Sequence, residues 1–90
     1  MSNTLDILLS PVYIYGEMNE SALIGTHLRK IRREAGLTQA ELADRVDVSR
    51  QTINYIENGT FCPSTYLALR LARAFDVPVE RLFFLHSEED

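Results

Sequence analysis

The sequence lacks the features that would place this chain in a membrane or in a disulfide-bonded class. Cys62 is the only cysteine among 90 residues, so no internal disulfide can form, which fits a reducing compartment. The N-terminal apolar patch at residues 7–9 has no basic stretch before it, and Pro11 interrupts it. We therefore predict no signal peptide, no membrane-spanning segment and a cytoplasmic location.

Side-chain sets that carry catalysis or metal binding are also missing from the sequence. His27 and His86 have no neighbours at metal-ligand spacing. No Ser/His/Asp set, Cys/His set, glycine-rich phosphate loop or carboxylate pair emerges either. We therefore predict that the chain is not an enzyme and uses no metal, no cofactor and no evident small-molecule ligand.

Positive charge is scarce overall but concentrated in one part of the chain. The net charge is −4, yet residues 24–85 hold all nine Lys and Arg against seven acids, a net +2, while residues 1–23 and 86–90 each carry −3. The acidity lies at the ends, so the net charge does not exclude nucleic acid. We predict an N-terminal extension at 1–20, one domain at 21–85 and an acidic tail at 86–90.

Hydrophobic spacing and capping residues in the domain predict helices and no strand. In the first helix, Ile24, Leu28, Ile31 and Ala35 follow the spacing i, i+4, i+7, i+11, which is typical of a helical core stripe. The predicted fold class is all-α, a compact five-helix bundle, preceded by an extension that favours an extended conformation. The helices are predicted at about 21–35, from 38, at 49–59, from 63–64, and from 78 through 85.

The second and third helices are separated by a short turn. Thr38 and Glu41 have the spacing of a capping box at the start of the second helix, and Ser49 is a suitable N-cap for the third. Only three or four residues then lie between the two helices. This arrangement is a helix-turn-helix, whose second helix enters the major groove of double-stranded DNA.

Residues 39–58 resemble the phage-repressor and Cro-like family, also called the xenobiotic-response-element family, of helix-turn-helix regulators. The resemblance covers roughly residues 24–84 and implies a repressor-like DNA-binding fold. Asp47 and Asp76 stand where the family commonly has glycine, and Asp tolerates positive φ better than most residues. The family's core positions are held by Leu42, Val46, Val48, Ile53 and Ile56.

The outward face of the third helix carries the side chains that we predict to read bases. Arginine can donate two hydrogen bonds to guanine O6 and N7, and Gln or Asn can pair with adenine N6 and N7. Asn54 and Tyr55 could instead bind sugar-phosphate. The predicted base contacts are Arg50, Gln51, Asn54 and Tyr55.

Phosphate contacts and one ion pair are implied by the resemblance. Gln39 should meet a phosphate at the start of the second helix, where helix N-termini favour anions. Arg32 and Glu57 match positions that form an ion pair in the family; the alternative is two independent surface charges. Local capping is the alternative role for Thr52 and Asn58. The full phosphate set is Gln39, Thr38, Ser49, Thr52, Asn58 and Arg32.

The N-terminal stretch TLDILLSPVYIYG is apolar, and its residues 11–16 favour an extended conformation. It either packs on its own domain or pairs with another subunit, and a disordered arm is a third alternative. We predict a homodimer with contacts from Val79, Phe83, Phe84, Leu85, Tyr13 and Tyr15.

These patterns predict a sequence-specific DNA-binding transcriptional regulator. It would act as a homodimer on a pseudo-palindromic operator and, most simply, as a repressor by occupancy. The alternative is a protein-interaction module, an antitoxin-like partner in which DNA binding is secondary or lost. The acidic ends and the apolar N-terminal stretch favour that alternative.

Overall fold

The structure, a computed structural model, describes residues 23–86. This part of the chain consists of four helices and a small sheet. The sheet has two strands, β1 and β2, and the four helices α1–α4 lie between them in the sequence. A short 3₁₀ turn precedes β2. The elements are β1 (Ile24–Thr26), α1 (Leu28–Glu34), α2 (Gln39–Val46), α3 (Arg50–Glu57), α4 (Thr65–Phe75), the 3₁₀ turn (Val79–Arg81) and β2 (Phe83–Leu85).

The prediction of five helices without a strand is wrong at both ends of this domain. Residues predicted as the first turn of the first helix form β1, and the predicted fifth helix is the 3₁₀ turn followed by β2. The strands pair antiparallel, with Ile24 opposite Leu85 and Thr26 opposite Phe83. Aromatic and β-branched residues favour such pairing. The predicted extension at 1–20 lies outside the described residues.

Thr26 connects the sheet to the first helix. Its hydroxyl donates to the Leu82 carbonyl at 2.9 Å and accepts from the Leu28 amide at 3.0 Å. The His27 amide also donates to the Leu82 carbonyl at 2.9 Å. The residue before β2 is therefore hydrogen-bonded to the residues before α1. This contact explains why residues 24–26 pair with β2 instead of extending α1 toward its N-terminus.

Helix starts lie where the capping residues predict them. The Thr38 hydroxyl accepts from the Glu41 amide at 3.0 Å, and the Glu41 carboxylate accepts from the Thr38 amide at 2.8 Å, completing a capping box. The hydrogen bonds from the Thr38 backbone and side chain lower the pKa of Glu41. Ser49 and Ser64 accept from the first turns of α3 and α4 in the same way. These side chains satisfy amides that have no partner within their helices.

Two aspartates end helices in the left-handed conformation. Asp47 follows α2 with φ 61°, and Asp76 follows α4 with φ 56°. Both positions commonly hold glycine in the family that the sequence resembles, and Asp reaches this region at modest cost. Residues 47–49 alone separate α2 from α3, so the left-handed Asp47 lets the chain turn sharply enough to begin the next helix.

The core draws one or two large apolar side chains from each helix. α2 and α3 contribute Leu42, Val46, Ile53 and Ile56, and Ala43 is 3% exposed at the α2–α3 contact. Close packing of these groups fixes the angle between the two helices. The largest fully buried side chains are Leu28, Leu42, Ile53, Ile56, Leu71 and Leu82.

Removing core volume should destabilise this fold. We expect Ile53→Ala and Leu71→Ala each to lower the free energy of unfolding by about 2–5 kcal/mol, because both side chains are fully buried. Leu69→Ala, on the same helix as Leu71 but 54% exposed, is the matched control and should change stability much less. Urea denaturation followed by circular dichroism measures all three. Equal effects of Leu69→Ala and Leu71→Ala would contradict the packing described here.

Candidate nucleic-acid interface

The helix α3 has a buried face and a polar outward face. Ile53 and Ile56 are buried in the core at 0% and 1% exposure. The other face carries all four predicted base contacts, of which Arg50, Gln51 and Tyr55 are exposed and Asn54 is half-buried. A narrow apolar stripe thus holds the helix, and its hydrogen-bonding side chains point away from the core.

Two of the outward side chains are joined one helical turn apart. The Gln51 amide nitrogen donates to the Tyr55 hydroxyl at 2.8 Å. This bond uses one of the two N–H groups of Gln51 and leaves its amide oxygen and second N–H available. Gln51 can therefore still form the two-bond pair with adenine that its side chain allows.

Gln39 links the start of α2 to three residues of α3. Its amide nitrogen donates to Asn54 at 3.2 Å and to Glu57 at 3.1 Å, and its oxygen accepts from Arg50 at 2.9 Å. The sequence pointed to Gln39 only as a phosphate contact. The structure gives it a second role, because it holds two predicted base-reading side chains against α2.

Arg32 and Glu57 form a buried ion pair between α1 and α3. The Arg32 Nε lies 2.6 Å from Glu57 Oε2, and its Nη2 donates to Oε1 at 3.1 Å. The side chains are only 9% and 0% exposed, so they are not independent surface charges. Arg32 also donates to the Leu37 carbonyl at 2.8 Å. The pair therefore sets the position of α3 relative to α1 and to the residues before α2.

The contacts of Glu57 keep it ionised in spite of its burial. Burial acts to raise the pKa of Glu57, but the hydrogen bonds from Arg32, Gln39 and Arg29 outweigh it and hold the pKa below the ordinary 4.5. The hydrogen bond to Glu57 likewise raises the pKa of Arg32, against the opposing effect of burial. Both groups are thus charged at neutral pH.

Arginines surround the start of α2. A surface depression there is lined by Arg29, Arg32, Arg33, Thr38, Gln39, Ala40 and Arg50. Arg29 and Arg33 were not predicted as contacts, because Arg32 was the one arginine of the first helix that matched a family position. The signal was present in the spacing of residues 29, 32 and 33, which places them on one face of a helix. Helix N-termini and arginines both favour phosphate.

The remaining predicted phosphate contacts lie near the ends of α3. The Ser49 and Thr52 hydroxyls are 3.0 Å apart at its start, and the Ser49 hydroxyl also accepts from the Thr52 amide. Asn58, the C-cap of α3, accepts from Arg29 at 2.6 Å. Thr38 is exposed at the start of α2. The predicted phosphate set thus lies around both helix starts and the far end of α3.

The predicted dimer contacts separate into different environments. Val79 and Phe83 pack partly against the core, and the Phe84 ring lies 4.7 Å from the His27 ring. Leu85 is 45% exposed. Tyr13 and Tyr15 lie outside the described residues, so the structure does not place them.

Residues 23–86 have neither a cluster of metal ligands nor a membrane-spanning helix. That range has no group of three or more His, Cys, Asp or Glu side chains positioned to hold a metal ion. It also has no helix long and apolar enough to cross a membrane.

A recognition helix presented by a three-residue turn, with arginines around the start of the preceding helix, defines a helix-turn-helix DNA-binding domain. The chain belongs to the helix-turn-helix family, whose model matches residues 28–82. It is a DNA-binding transcriptional regulator of the phage-repressor and Cro-like type, which confirms the predicted family and the prediction of a DNA-binding regulator.

Two archaeal relatives and one solved structure illustrate the similarity. An uncharacterized helix-turn-helix-type transcriptional regulator of Archaeoglobus fulgidus is 44% identical over 64 residues, covering 71% of this chain and 91% of the relative. Another, from Methanothermobacter thermautotrophicus, is 48% identical over 64 residues, with 70% and 93% covered. The restriction-modification controller protein of Aeromonas hydrophila superposes with a TM-score of 0.57 at 31% identity, covering 60% of this chain and 78% of that one.

The ion pair should make stability depend on pH. A carboxylate whose pKa is lowered on folding stabilises the fold above its unfolded pKa, near 4.5 for Glu57, and this contribution is lost as the pH falls through the folded value. Glu57→Gln leaves Arg32 buried without a counter-ion, so it should cost about 3–5 kcal/mol at pH 7. The stability gap between the two proteins should then narrow below pH 4.5.

Urea denaturation of both proteins between pH 7 and pH 3 measures this gap. The difference between the two curves isolates Glu57 from Glu41, whose pKa is also lowered. Glu80→Gln, at an exposed position in the 3₁₀ turn, is the control and should stay within about 0.5 kcal/mol of the parent. If the free energies of unfolding of Glu57→Gln and the parent differed by the same amount at every pH, the lowered pKa of Glu57 would be contradicted.

Proposed function

We propose that the chain binds a specific operator as a homodimer, inserts α3 into the major groove, and represses transcription by occupying its site. The observation that carries this proposal is the outward face of α3. Its four polar side chains are oriented by hydrogen bonds to one another and to Gln39 rather than scattered over the surface. Ordered side chains of this kind lose little conformational freedom on binding.

Each outward side chain suits a particular base. Arg50 can donate two hydrogen bonds to guanine, while Gln51 can pair with adenine through the groups that Tyr55 leaves available. Asn54 can also pair with adenine, or it can bind a sugar-phosphate group of the DNA backbone instead. Tyr55 both positions Gln51 and presents an apolar ring edge suited to a thymine methyl group.

The surrounding groups suit the phosphate backbone. Gln39 and Thr38 lie at the start of α2, where amides point outward, and Arg29 and Arg33 add charge on the neighbouring face of α1. Ser49, Thr52 and Asn58 can contact phosphates on either side of α3. Such contacts fix the register of the protein on DNA without reading sequence.

Two copies are proposed because a single domain reaches few phosphates and few bases. Dimers of this class present their recognition helices about 34–36 Å apart, in successive major grooves. Leu23 and Leu85 are 49% and 45% exposed near the outer ends of β1 and β2, and Phe84 lies on the other face of β2. We propose that this part of the sheet contacts the second copy.

Readout is tested by selecting bound DNA from a random pool and measuring affinity for the best site. Arg50→Ala and Gln51→Ala should each cost about 1–3 kcal/mol on that site and relax the preference at one or two base pairs. Arg33→Ala, as the phosphate-contact control, should weaken all sequences alike and reduce the salt slope by about one. If Arg50→Ala lost the same affinity on specific and random DNA, the base-contact role would be wrong.

The homodimer is tested without DNA by analytical ultracentrifugation. Leu85→Glu places a charge in the proposed contact and should shift the equilibrium from dimer to monomer. Phe61→Glu, which changes an apolar side chain of similar exposure (44%) in the α3–α4 loop, should leave the dimer intact. A parent protein that sediments as a monomer at every concentration tested would exclude the proposed assembly.

A further inference from the structure

An apolar groove lies between α4, the 3₁₀ turn and the β1–β2 sheet. It has a volume of about 250 Å³, and its walls include Ile24, Ala68, Leu69, Val79 and Phe83. None of these residues belongs to the predicted DNA contacts. Leu69 is 54% exposed at its rim, so the groove presents apolar surface that the described residues leave in contact with solvent.

The outer face of α4 extends this groove and adds positive charge. A second depression shares Leu69 and is lined by Tyr66, Arg70 and Arg73. Arg70 donates to the Tyr66 hydroxyl at 2.8 Å and lies 5.7 Å from the centre of its ring. Tyr66 is 68% exposed. The combined surface is apolar along its floor and basic at one end, so it suits an apolar segment that carries acidic residues.

The chain's own N-terminal segment, residues 5–20, has this composition. It holds an apolar run interrupted by Pro11, carries Asp6, Glu17 and Glu20, and has no Lys or Arg. This charge complements Arg70 and Arg73 in the depression beside the groove. Large apolar groups are also costly to leave in water, and those of the segment are Leu5, Ile7, Leu8, Leu9, Val12, Tyr13, Ile14 and Tyr15.

Connectivity favours this segment over an unrelated partner. Residue 22 leads directly into Leu23, and the next residue, Ile24, is part of the groove wall. The seven residues 16–22 can span at most about 25 Å when extended. The apolar run is thus tethered beside the groove at a high effective concentration that no separate molecule shares.

We propose that residues 7–15 bind in the apolar groove of their own chain, with Glu17 or Glu20 near Arg70 and Arg73. The groove is then an intramolecular docking site rather than part of the dimer contact. Val79 and Phe83 are covered from within the chain, which leaves Phe84 and Leu85 for a second copy. Sedimentation measures the dimer proposed above and intramolecular cross-linking measures this docking, so the two proposals can fail separately.

Cys62 makes a direct test possible, because it is the only cysteine in the sequence and it lines the groove. We would introduce Ile14→Cys in the full chain, oxidise it at low protein concentration, and identify disulfides by mass spectrometry. An intramolecular disulfide with Cys62 should form at least about tenfold faster than in the control variant Asn3→Cys, because docking raises the local thiol concentration near residue 14 and not at residue 3.

A second substitution tests whether the groove itself is responsible. Leu69→Asp adds a charge to the rim of the groove, and α4 should stay folded because this position is exposed. Combined with Ile14→Cys, it should remove most of the increase in the rate of disulfide formation with Cys62. Hydrogen exchange of residues 7–15 provides a readout without cysteines, with slower exchange in the parent than in Leu69→Asp. Equal rates for Ile14→Cys and Asn3→Cys, disulfides only between two chains, or exchange unaffected by Leu69→Asp would each overturn the proposal.

Discussion

The carboxylate of Glu57 is the group on which the recognition surface depends. It is fully buried and accepts hydrogen bonds from Arg32, Arg29 and Gln39. These donors come from α1 and α2, so three helices meet at one charge on α3. A buried charge is tolerated only when it is paired and fully hydrogen-bonded, and this requirement makes the relative position of the three helices strict. Because α3 is held in this way, the position of its outward face relative to α1 and α2 is fixed as well.

The fold is specified at successively longer range. Capping side chains and two left-handed aspartates set where helices begin and end, and these are local effects. Apolar packing of Leu42, Ile53 and Ile56 sets the angle between α2 and α3. The polar network through Gln39 then orients Asn54 and Arg50, two of the side chains proposed to read bases. The local effects restrict the backbone turns, core packing restricts the angle between helices, and the hydrogen bonds of Gln39 restrict the rotamers of Arg50 and Asn54.

Prediction from sequence worked best where the controlling interaction is local. The starts of α2, α3 and α4 follow from capping residues and periodicity, and so do the outward residues of α3. The strands were missed because Ile24 and Leu28 also fit a helical stripe, while β1 pairs with residues from the opposite end of the domain. Gln39's contacts with α3 were missed for the same reason. They depend on which helices meet in space, and residue spacing does not contain that information.

Under the proposed function, the charge distribution makes direct base readout important for this chain. Of the four arginines around the start of α2, Arg32 and Arg29 both lie within ion-pair distance of Glu57. In the proposed complex, the attraction for phosphate would then come mainly from Arg33 and Arg50. Residues 24–85 carry a net charge of only +2, and both ends of the chain are acidic. Sequence-independent affinity rises with the number of phosphates neutralised, so it is modest here. In the proposed complex, the discrimination between sites would come from the ordered side chains of α3, and the proposed second copy would add affinity that charge alone does not supply.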